Sequence, residues 1–208
     1  MLKDSFMTTY IILFGYTAIT LIEALRTPIV NVRHIMNIET TVSLVAGLVY
    51  GIFMEKIKQP DFQLEEIVPL RYIDWMITTP LILLALVLFY SNGTNKVHYQ
   101  TFATIAMLNW LMLLFGYLGE TKVLSSTNGL VLGFVCFLAM LVYIFVSVVP
   151  KGASIVVFAI FAIIWTLYGI AYMLNEEEKN IAYNILDVTA KALFGVVLWL
   201  YFGKVLKF

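Results

Sequence analysis

Charged residues are scarce in this chain of 208 residues. Asp, Glu, Lys and Arg make up 12% of it and hydrophobic residues 62%, with a mean hydropathy of +0.93. Because a soluble domain carries about a quarter charged residues, this composition predicts an integral membrane protein. The net charge of zero gives no case for a nucleic-acid partner. The single cysteine, Cys136, excludes an internal disulfide framework, and the isolated His34 and His98 suggest no metal site.

Seven apolar segments follow one another along the chain. A helix needs ~20 residues to cross a bilayer, and most of the segments approach or exceed that length. We therefore predict an all-α membrane protein, a bundle of seven transmembrane helices that forms one domain over residues 1–208. The predicted spans are residues 8–25, 42–53, 67–89, 102–118, 130–149, 153–174 and 181–206.

The distribution of charged residues gives only a weak prediction of how the bundle is oriented in the membrane. Lysines and arginines are nearly balanced between the two sides, so the positive-inside rule gives almost no preference. Acidic residues such as Asp61, Glu120 and Glu176 cluster on the side where the first span begins. We expect the N-terminus outside and the C-terminus in the cytoplasm.

The last span contains an acid and an amine near its middle. Asp187 and Lys191 are four residues apart, so on a helix they lie on one face, ~6 Å apart along the axis. Ionisable residues inside a membrane helix are costly and by default indicate function. The alternative for this pair is a structural ion pair that joins helices.

The third span contains a second charged pair. Arg71, Asp74 and Thr78 follow the spacing i, i+3, i+7 and share one helix face. A threonine one turn after a carboxylate can hydrogen-bond it, and Pro80 leaves a backbone carbonyl without its helical donor. With Lys191 the two spans bury two acids and two bases, and their charges cancel only if the lysine nitrogen stays cationic.

The stretches RYIDWMITTP (residues 71–80) and LDVTAK (residues 186–191) together resemble the third and seventh helices of microbial (type 1) rhodopsins. The resemblance covers all seven spans, and the small size with short connections is most similar to the rhodopsins encoded by giant viruses of algae and protists. It implies all-trans retinal as the cofactor, bound covalently to Lys191 as a Schiff base.

The resemblance also implies roles for the charged residues. Asp74 would be the primary counterion and first proton acceptor, and Thr78 would hydrogen-bond it. Asp187 would be the second counterion. Arg71 would separate this cluster from the outer side and shift its charge when Asp74 is protonated. Tyr50 and Tyr168 would hydrogen-bond Asp187.

Aromatic and small residues would form the retinal pocket. Trp75 and Trp165 would enclose the polyene, and Tyr172 would lie beside it where the family often has tryptophan. Plain helix packing is the alternative for each of these side chains. The remaining expected pocket residues are Tyr50, Thr79, Met112, Gly116, Met140 and Tyr168. Gly169 stands where many relatives have proline.

The chain departs from a fast outward proton pump at one position. Eleven residues after Asp74, where such pumps carry a proton-donating acid, this chain has Ala85. Reloading of the proton is then slow, or another group performs it, or net pumping is not the function. Glu39 is the only plausible substitute carboxylate, but we favour its interpretation as an exposed first-turn residue that offsets the helix dipole. Glu23, Arg26 and Arg33 could form an ion-pair network with it.

The leading hypothesis is a light-driven outward proton pump and photoreceptor rather than an enzyme. A light-gated cation channel is the first alternative, and a polar row of Thr8, Glu39, Ser43, Tyr50 and Asn184 would support it. A sensory photoreceptor with a partner protein and a non-retinal transporter are the others. The expected partners are the lipid bilayer, protons or small cations, and further copies of the chain as a pentamer or trimer. Glu176, Glu177 and Glu178 could release protons on the outer side, or could be solvated surface.

Overall fold

A computed structural model describes residues 1–91, 98–150 and 155–202, with side chains as far as residue 200. Those residues form helices and no strand. A 3₁₀ turn, Leu64–Ile67, leads into the third helix, and a π-helical segment, Val188–Leu193, joins the last two helices into one continuous seventh span. The helices are α1 (Leu2–Arg26), α2 (Val30–Lys56), α3 (Val68–Tyr90), α4 (Tyr99–Glu120), α5 (Ser126–Ser147), α6 (Val156–Ala171), α7 (Glu176–Asp187) and α8 (Phe194–Phe202).

The predicted bundle of seven transmembrane helices is confirmed. Within the described ranges, six helical segments are long and apolar enough to cross a membrane, and α6 is a shorter apolar helix of 16 residues. The predicted start of the sixth span at residue 153 and end of the seventh at residue 206 lie outside the described residues. We call the side where α1, α3, α5 and α7 begin the N-terminal side of the bundle, and the other the C-terminal side.

The second span is much longer than the sequence predicted. The apolar segment covered residues 42–53, whereas α2 begins at Val30 and has 27 residues. Its first turns carry many polar side chains, which dilute the hydropathy. The buried residues Val32, Ile35, Met36 and Glu39 nevertheless recur at helical spacing, so one face of these turns packs into the bundle.

The described residues pack into three apolar clusters, the smallest of which lies between α3 and α7. The larger of the other two, which includes Ile82, Leu86 and Phe161, fills the C-terminal half of the bundle. A smaller cluster on the N-terminal side joins α1 to α2 and includes Phe6, Tyr50 and Phe53. Because lipid is as apolar as these side chains, close packing and buried polar contacts hold such helices together more than exclusion of water does.

Pro80 interrupts the hydrogen bonds of α3, as the sequence predicted. It has no backbone N–H, so the carbonyl of Met76, four residues earlier, lacks its helical donor. The indole Nε1 of Trp110 on α4 donates to that carbonyl at 3.0 Å. A neighbouring helix therefore satisfies the freed backbone group, which is how membrane helices tolerate an internal proline.

Candidate functional site

Lys191 lies between two carboxylates in the middle of the bundle. Its Nζ is 2.5 Å from Asp74 Oδ2 on α3 and 3.3 Å from Asp187 Oδ1 on α7. All three side chains are 1% exposed or less. The sequence placed these groups on two helices, and the structure joins them into one ion cluster. Asp74 Oδ1 has no hydrogen-bond partner within the described residues.

Asp187 is held by donors from three other helices. Tyr50 OH on α2 donates to Oδ2 at 2.8 Å, and Tyr168 OH on α6 donates to Oδ1 at 2.8 Å. Trp75 Nε1 on α3 donates to Oδ1 at 3.1 Å. These bonds stabilise the ionised carboxylate and fix its position relative to Lys191. The two tyrosines have the contacts that the resemblance implied.

Arg71 completes the charge balance on the N-terminal side. Its Nη1 is 3.4 Å from Asp187 Oδ2 and donates to Tyr50 OH at 3.1 Å, and its guanidinium is 3% exposed. Nη2 donates to two asparagines of α7, Asn180 at 3.1 Å and Asn184 at 3.0 Å. The sequence reasoning did not predict these asparagines as partners of Arg71, because an amide in a membrane span is a weaker signal than a charge.

Local backbone structure positions the cluster. Thr78 donates to the backbone carbonyl of Asp74 at 2.8 Å rather than to its carboxylate. The geometry therefore does not show Thr78 as a partner of the Asp74 carboxylate. A helical threonine readily bonds the carbonyl four residues earlier. Lys191 lies in the π-helical segment Val188–Leu193, a wider turn of a kind that is frequent at functional sites.

An apolar cavity begins at Lys191 and extends among α3, α4, α5 and α6. Its volume is about 110 Å³, and its wall is almost entirely apolar. Of the expected pocket residues, seven line it: Trp75, Thr79, Met112, Gly116, Trp165, Tyr168 and Tyr172. Lys191 is a further lining residue, so its amine can reach a molecule held inside.

Two expected pocket residues do not line the cavity. Met140 is fully buried in the larger apolar cluster, and Phe137, three residues earlier on α5, lines the cavity instead. Tyr50 contacts the site only through its bonds to Asp187, Asn184 and Arg71. Sequence reasoning placed both near retinal by resemblance, which does not resolve which face of a helix turns toward the cavity.

Small residues make room for the cavity wall. A Cβ at Gly169 on α6 would overlap the ring of Phe134 on α5, so glycine is required for that ring to lie where it does. Gly129, Gly133 and Phe134 of α5 all line the cavity and were not predicted. The spacing of four between the two glycines is a signal that could have identified this face.

Glu39 is buried in the C-terminal half of the bundle, 1% exposed. It is the tenth residue of α2, so the favoured interpretation as an exposed first-turn residue is wrong. Within the described ranges neither carboxylate oxygen has a hydrogen bond of good geometry, although Tyr16 OH on α1 lies beside Oε2. A Cβ at Gly195 would overlap both Glu39 Oε2 and Tyr16 OH, which places Glu39 against the seventh span, four residues beyond Lys191.

The expected ion-pair network around Glu39 is not formed. Within the part of the chain that the structure describes, neither Arg26 nor Arg33 makes an ion pair with Glu39 or with Glu23. Arg33 is exposed, and its guanidinium donates to the carbonyl of Thr27 at 3.0 Å. These residues lie near the ends of α1 and α2, more than a turn from the buried carboxylate.

A second ion cluster lies on the N-terminal side of the bundle. Lys179 Nζ is 2.7 Å from Glu120 Oε2 on α4 and 2.8 Å from Glu176 Oε1 on α7. The Lys179 and Glu120 side chains are each 7% exposed. Of the three acids suggested for proton release, only Glu176 belongs to this cluster, while Glu177 and Glu178 are exposed. Glu120 was not predicted.

The fold and the site define a class: a seven-helix membrane protein with a buried lysine, two carboxylates and an adjoining apolar cavity. The model of the family described as bacteriorhodopsin-like protein matches residues 1–205. The chain therefore belongs to the bacteriorhodopsin-like family, and the resemblance to microbial rhodopsins is confirmed.

Solved structures agree with this assignment. The crystal structure of viral rhodopsin OLPVRII superimposes with a TM-score of 0.91 at 38% sequence identity and covers 99% of each chain. The structure described as a light-driven proton pump from Leptosphaeria maculans has a TM-score of 0.79 at 20% identity over 98% of this chain and 96% of its own. At that identity the second comparison shows the fold alone.

Curated relatives are more distant. A green-light absorbing proteorhodopsin from Gamma-proteobacterium EBAC31A08 is 25% identical over 62% of this chain and 59% of its own length. Archaerhodopsin-2 of Halobacterium sp. (strain aus-2) is 28% identical over 73% of this chain and 64% of its own length. The chain thus matches about three fifths of the length of these relatives. The family implies a retinal chromophore, a lipid bilayer and transported ions.

Proposed function

We propose that the protein is a light-driven outward proton pump with all-trans retinal bound to Lys191. One observation carries this proposal: the Lys191 amine opens into an apolar cavity while lying within 3.3 Å of both Asp74 and Asp187. An aldehyde in that cavity would condense with the amine, and the resulting nitrogen would keep a proton because two carboxylates favour its charged form.

Asp74 and Asp187 have different roles in moving that proton. Retinal supplies a light-driven change of shape at the lysine nitrogen. Asp74 is the acceptor, since its Oδ1 has no partner and its Oδ2 already contacts Nζ. Asp187 is kept ionised by Tyr50, Tyr168 and Trp75, so it stabilises the positive nitrogen without taking its proton.

Glu39 is the proposed source of the replacement proton. Ala85 cannot carry a proton, and it is fully buried among apolar side chains. A carboxyl group without a cationic partner is far less costly to bury with its proton than without it, so Glu39 is suited to store one. Its contact with Gly195 places it one turn beyond Lys191 on the C-terminal side.

The structure favours a pump over a channel. Polar residues between α1 and α2 form two groups, one around Thr9 and Tyr50 and one around Thr17 and Ser43. Leu13 and Ala46, both fully buried, lie between them and form an apolar barrier. Thr8, a member of the expected polar row, is exposed on the outer surface of α1. A pump needs such a barrier, because protons must not leak back.

The orientation and assembly complete the proposal. The N-terminal side, with Arg71 and the Glu120–Lys179–Glu176 cluster, would face outward, and the side of Glu39 would face the cytoplasm. Protons then move from Glu39 toward Asp74, which is outward. A homo-oligomer, as a pentamer or trimer, remains a prediction.

The first test is formation of the pigment. Purified protein mixed with all-trans retinal should develop a visible absorption band that Lys191→Ala abolishes. Lys191→Arg is the matched control for folding, because it keeps a cation between Asp74 and Asp187 but forms no imine; it should be folded and colourless. A band that survives in Lys191→Arg would exclude this lysine as the attachment site.

The second test is transport. Proteoliposomes illuminated at zero membrane voltage should change their internal pH, and a protonophore should abolish that change. A current that reverses with voltage, without any pH change at zero voltage, would identify a channel instead. An intact pigment with neither response would contradict transport and leave a sensory photoreceptor.

A further inference from the structure

The Arg71 guanidinium has partners on both of its sides along the bundle axis. Nη1 is directed to Asp187 and Tyr50, and Nη2 is directed to Asn180 and Asn184, which lie farther toward the N-terminal side. The 3.4 Å separation between Nη1 and Asp187 is long for a charged pair. The arginine is therefore shared between a carboxylate and two neutral amides rather than committed to the carboxylate.

Both amides are oriented so that oxygen faces the arginine. Asn180 Nδ2 donates to the carbonyl of Glu176 at 2.8 Å, which turns its Oδ1 toward Nη2. Asn184 Nδ2 donates to Ser5 Oγ at 2.9 Å, which turns its Oδ1 toward Nη2. A reversed amide would lose these bonds and place N–H groups against a cation. The two asparagines are fixed acceptors.

Aromatic rings surround the guanidinium without fixing its position. The Arg71 Cζ lies 5.2–5.9 Å from five ring centroids, contributed by α1, α2, α3 and α7. Cation–π attraction of this kind stabilises the buried charge from all round. Hydrogen bonds then decide where along the axis the charge lies.

We propose that Asn180 and Asn184 are positioning residues that form a second, outward binding position for Arg71 and draw its charge away from the two carboxylates. This inference rests on the proposed function, since it concerns how Arg71 acts on Asp74. When Asp74 is ionised, one turn away on the same helix, the arginine is shared as observed. When Asp74 takes up a proton, that attraction is lost and the asparagines hold the charge farther out.

The test uses the pigment in the dark. On acidification Asp74 is neutralised, and the absorption band moves to longer wavelength because the nearby nitrogen cation loses a counterion. In Asn184→Leu the outward position is apolar, so Arg71 should move toward Asp187 and Asp74 and keep Asp74 ionised to lower pH. The midpoint of the colour change should fall by about half a pH unit, a threefold change in proton affinity. Asn180→Leu should shift it the same way.

The groups that face this part of the site stay constant in these variants: Asp187 and Lys191 on the seventh span, Tyr50 on α2, Tyr168 on α6 and Tyr183 on α7. Thr9→Val is the matched control, because Thr9 donates to the Asn184 backbone carbonyl at 3.2 Å and does not bond Arg71. It should leave the midpoint unchanged.

Three outcomes would overturn the proposal: an unchanged midpoint in both asparagine variants, a midpoint moved to higher pH, or an equal shift in Thr9→Val. Asn180→Leu, near the helix end, provides the measurement if Asn184→Leu does not fold. Because the titration needs no light-driven transport, a pigment that shows the expected shifts but moves no protons would contradict the proposed pump and support the asparagine position.

Discussion

Glu39 combines burial, at 1% exposure, with the lack of any ion pair in the described residues. An ionised carboxylate in such a place would cost several kcal/mol, since the Tyr16 hydroxyl beside it cannot replace its lost hydration. Gly195 allows the carboxyl group to lie directly against the seventh span, and Tyr16 lies beside it. These features suit a group that stores a proton. Gly195, which Glu39 contacts, lies one turn from Lys191 on the same span.

We expect Glu39→Gln to slow recovery of the dark state at neutral pH by at least about tenfold, as expected when an internal acid is removed. Recovery should then depend on protons from solution and slow about tenfold for each added pH unit, while the wild-type rate should depend weakly on pH. Flash spectroscopy measures both rates. Glu23→Gln, at the same end of the bundle, should behave like the wild type; an unaltered rate in Glu39→Gln would exclude Glu39 as the donor.

The charged residues of the site could be predicted from the sequence because ionisable groups are rare in apolar spans. Asp74, Asp187, Arg71 and Lys191 stand out individually, and the structure brings all four together. The burial of Glu39 could not be predicted from the sequence, because the turns of α2 that contain it have many polar residues.

At the scale of the helix, the backbone hydrogen bonding of α3 depends on its neighbour α4. Pro80 was recognised as the cause of an unpaired carbonyl, but its partner, Trp110, could not be predicted because the donor belongs to another helix and only the packing of α3 against α4 brings it there. Likewise, the extent of α2 depends on burial of one face and not on a continuous apolar run.

The bond between Trp110 and Met76 can be tested by a double-mutant cycle. Trp110→Phe should lower the free energy of unfolding by about 1 kcal/mol, the usual value for one hydrogen bond. In Pro80→Ala the backbone N–H of residue 80 returns to the Met76 carbonyl, so the same tryptophan change should cost little there. Unfolding in mixed micelles gives the four energies. Equal costs in both backgrounds would show that Trp110 acts through packing alone.

At the scale of the whole molecule, buried ion pairs connect distant parts of the chain. Lys179 joins the end of α4 to the start of α7, on the same side as Arg71. The sequence showed a lysine beside three acids in a connection, which normally indicates solvated surface. Only the folding of the bundle brings Glu120, at the end of α4, to Lys179 and buries the pair.

Lys179→Met should lower the free energy of unfolding by about 3 kcal/mol, because it leaves two carboxylates close together and partly buried without a cation. Adding Glu120→Gln should recover much of that loss. Lys56→Met is the matched control, since Lys56 pairs with Glu66 at an exposed site and such pairs contribute little. If both lysine variants unfold alike, the Lys179 cluster does not hold α4 to α7.

Trp110 also provides the molecule with an internal optical reporter. Its ring is half exposed at the bundle surface, while its indole N–H is attached to a carbonyl of the helix that carries Asp74. A change in the curvature of α3 must lengthen or break that bond, and indole emission responds to hydrogen bonding. The light-induced change in tryptophan fluorescence would be compared between the wild type and Trp110→Phe. The part of the change that is lost in the variant would report the bending of α3 in real time, without any attached label.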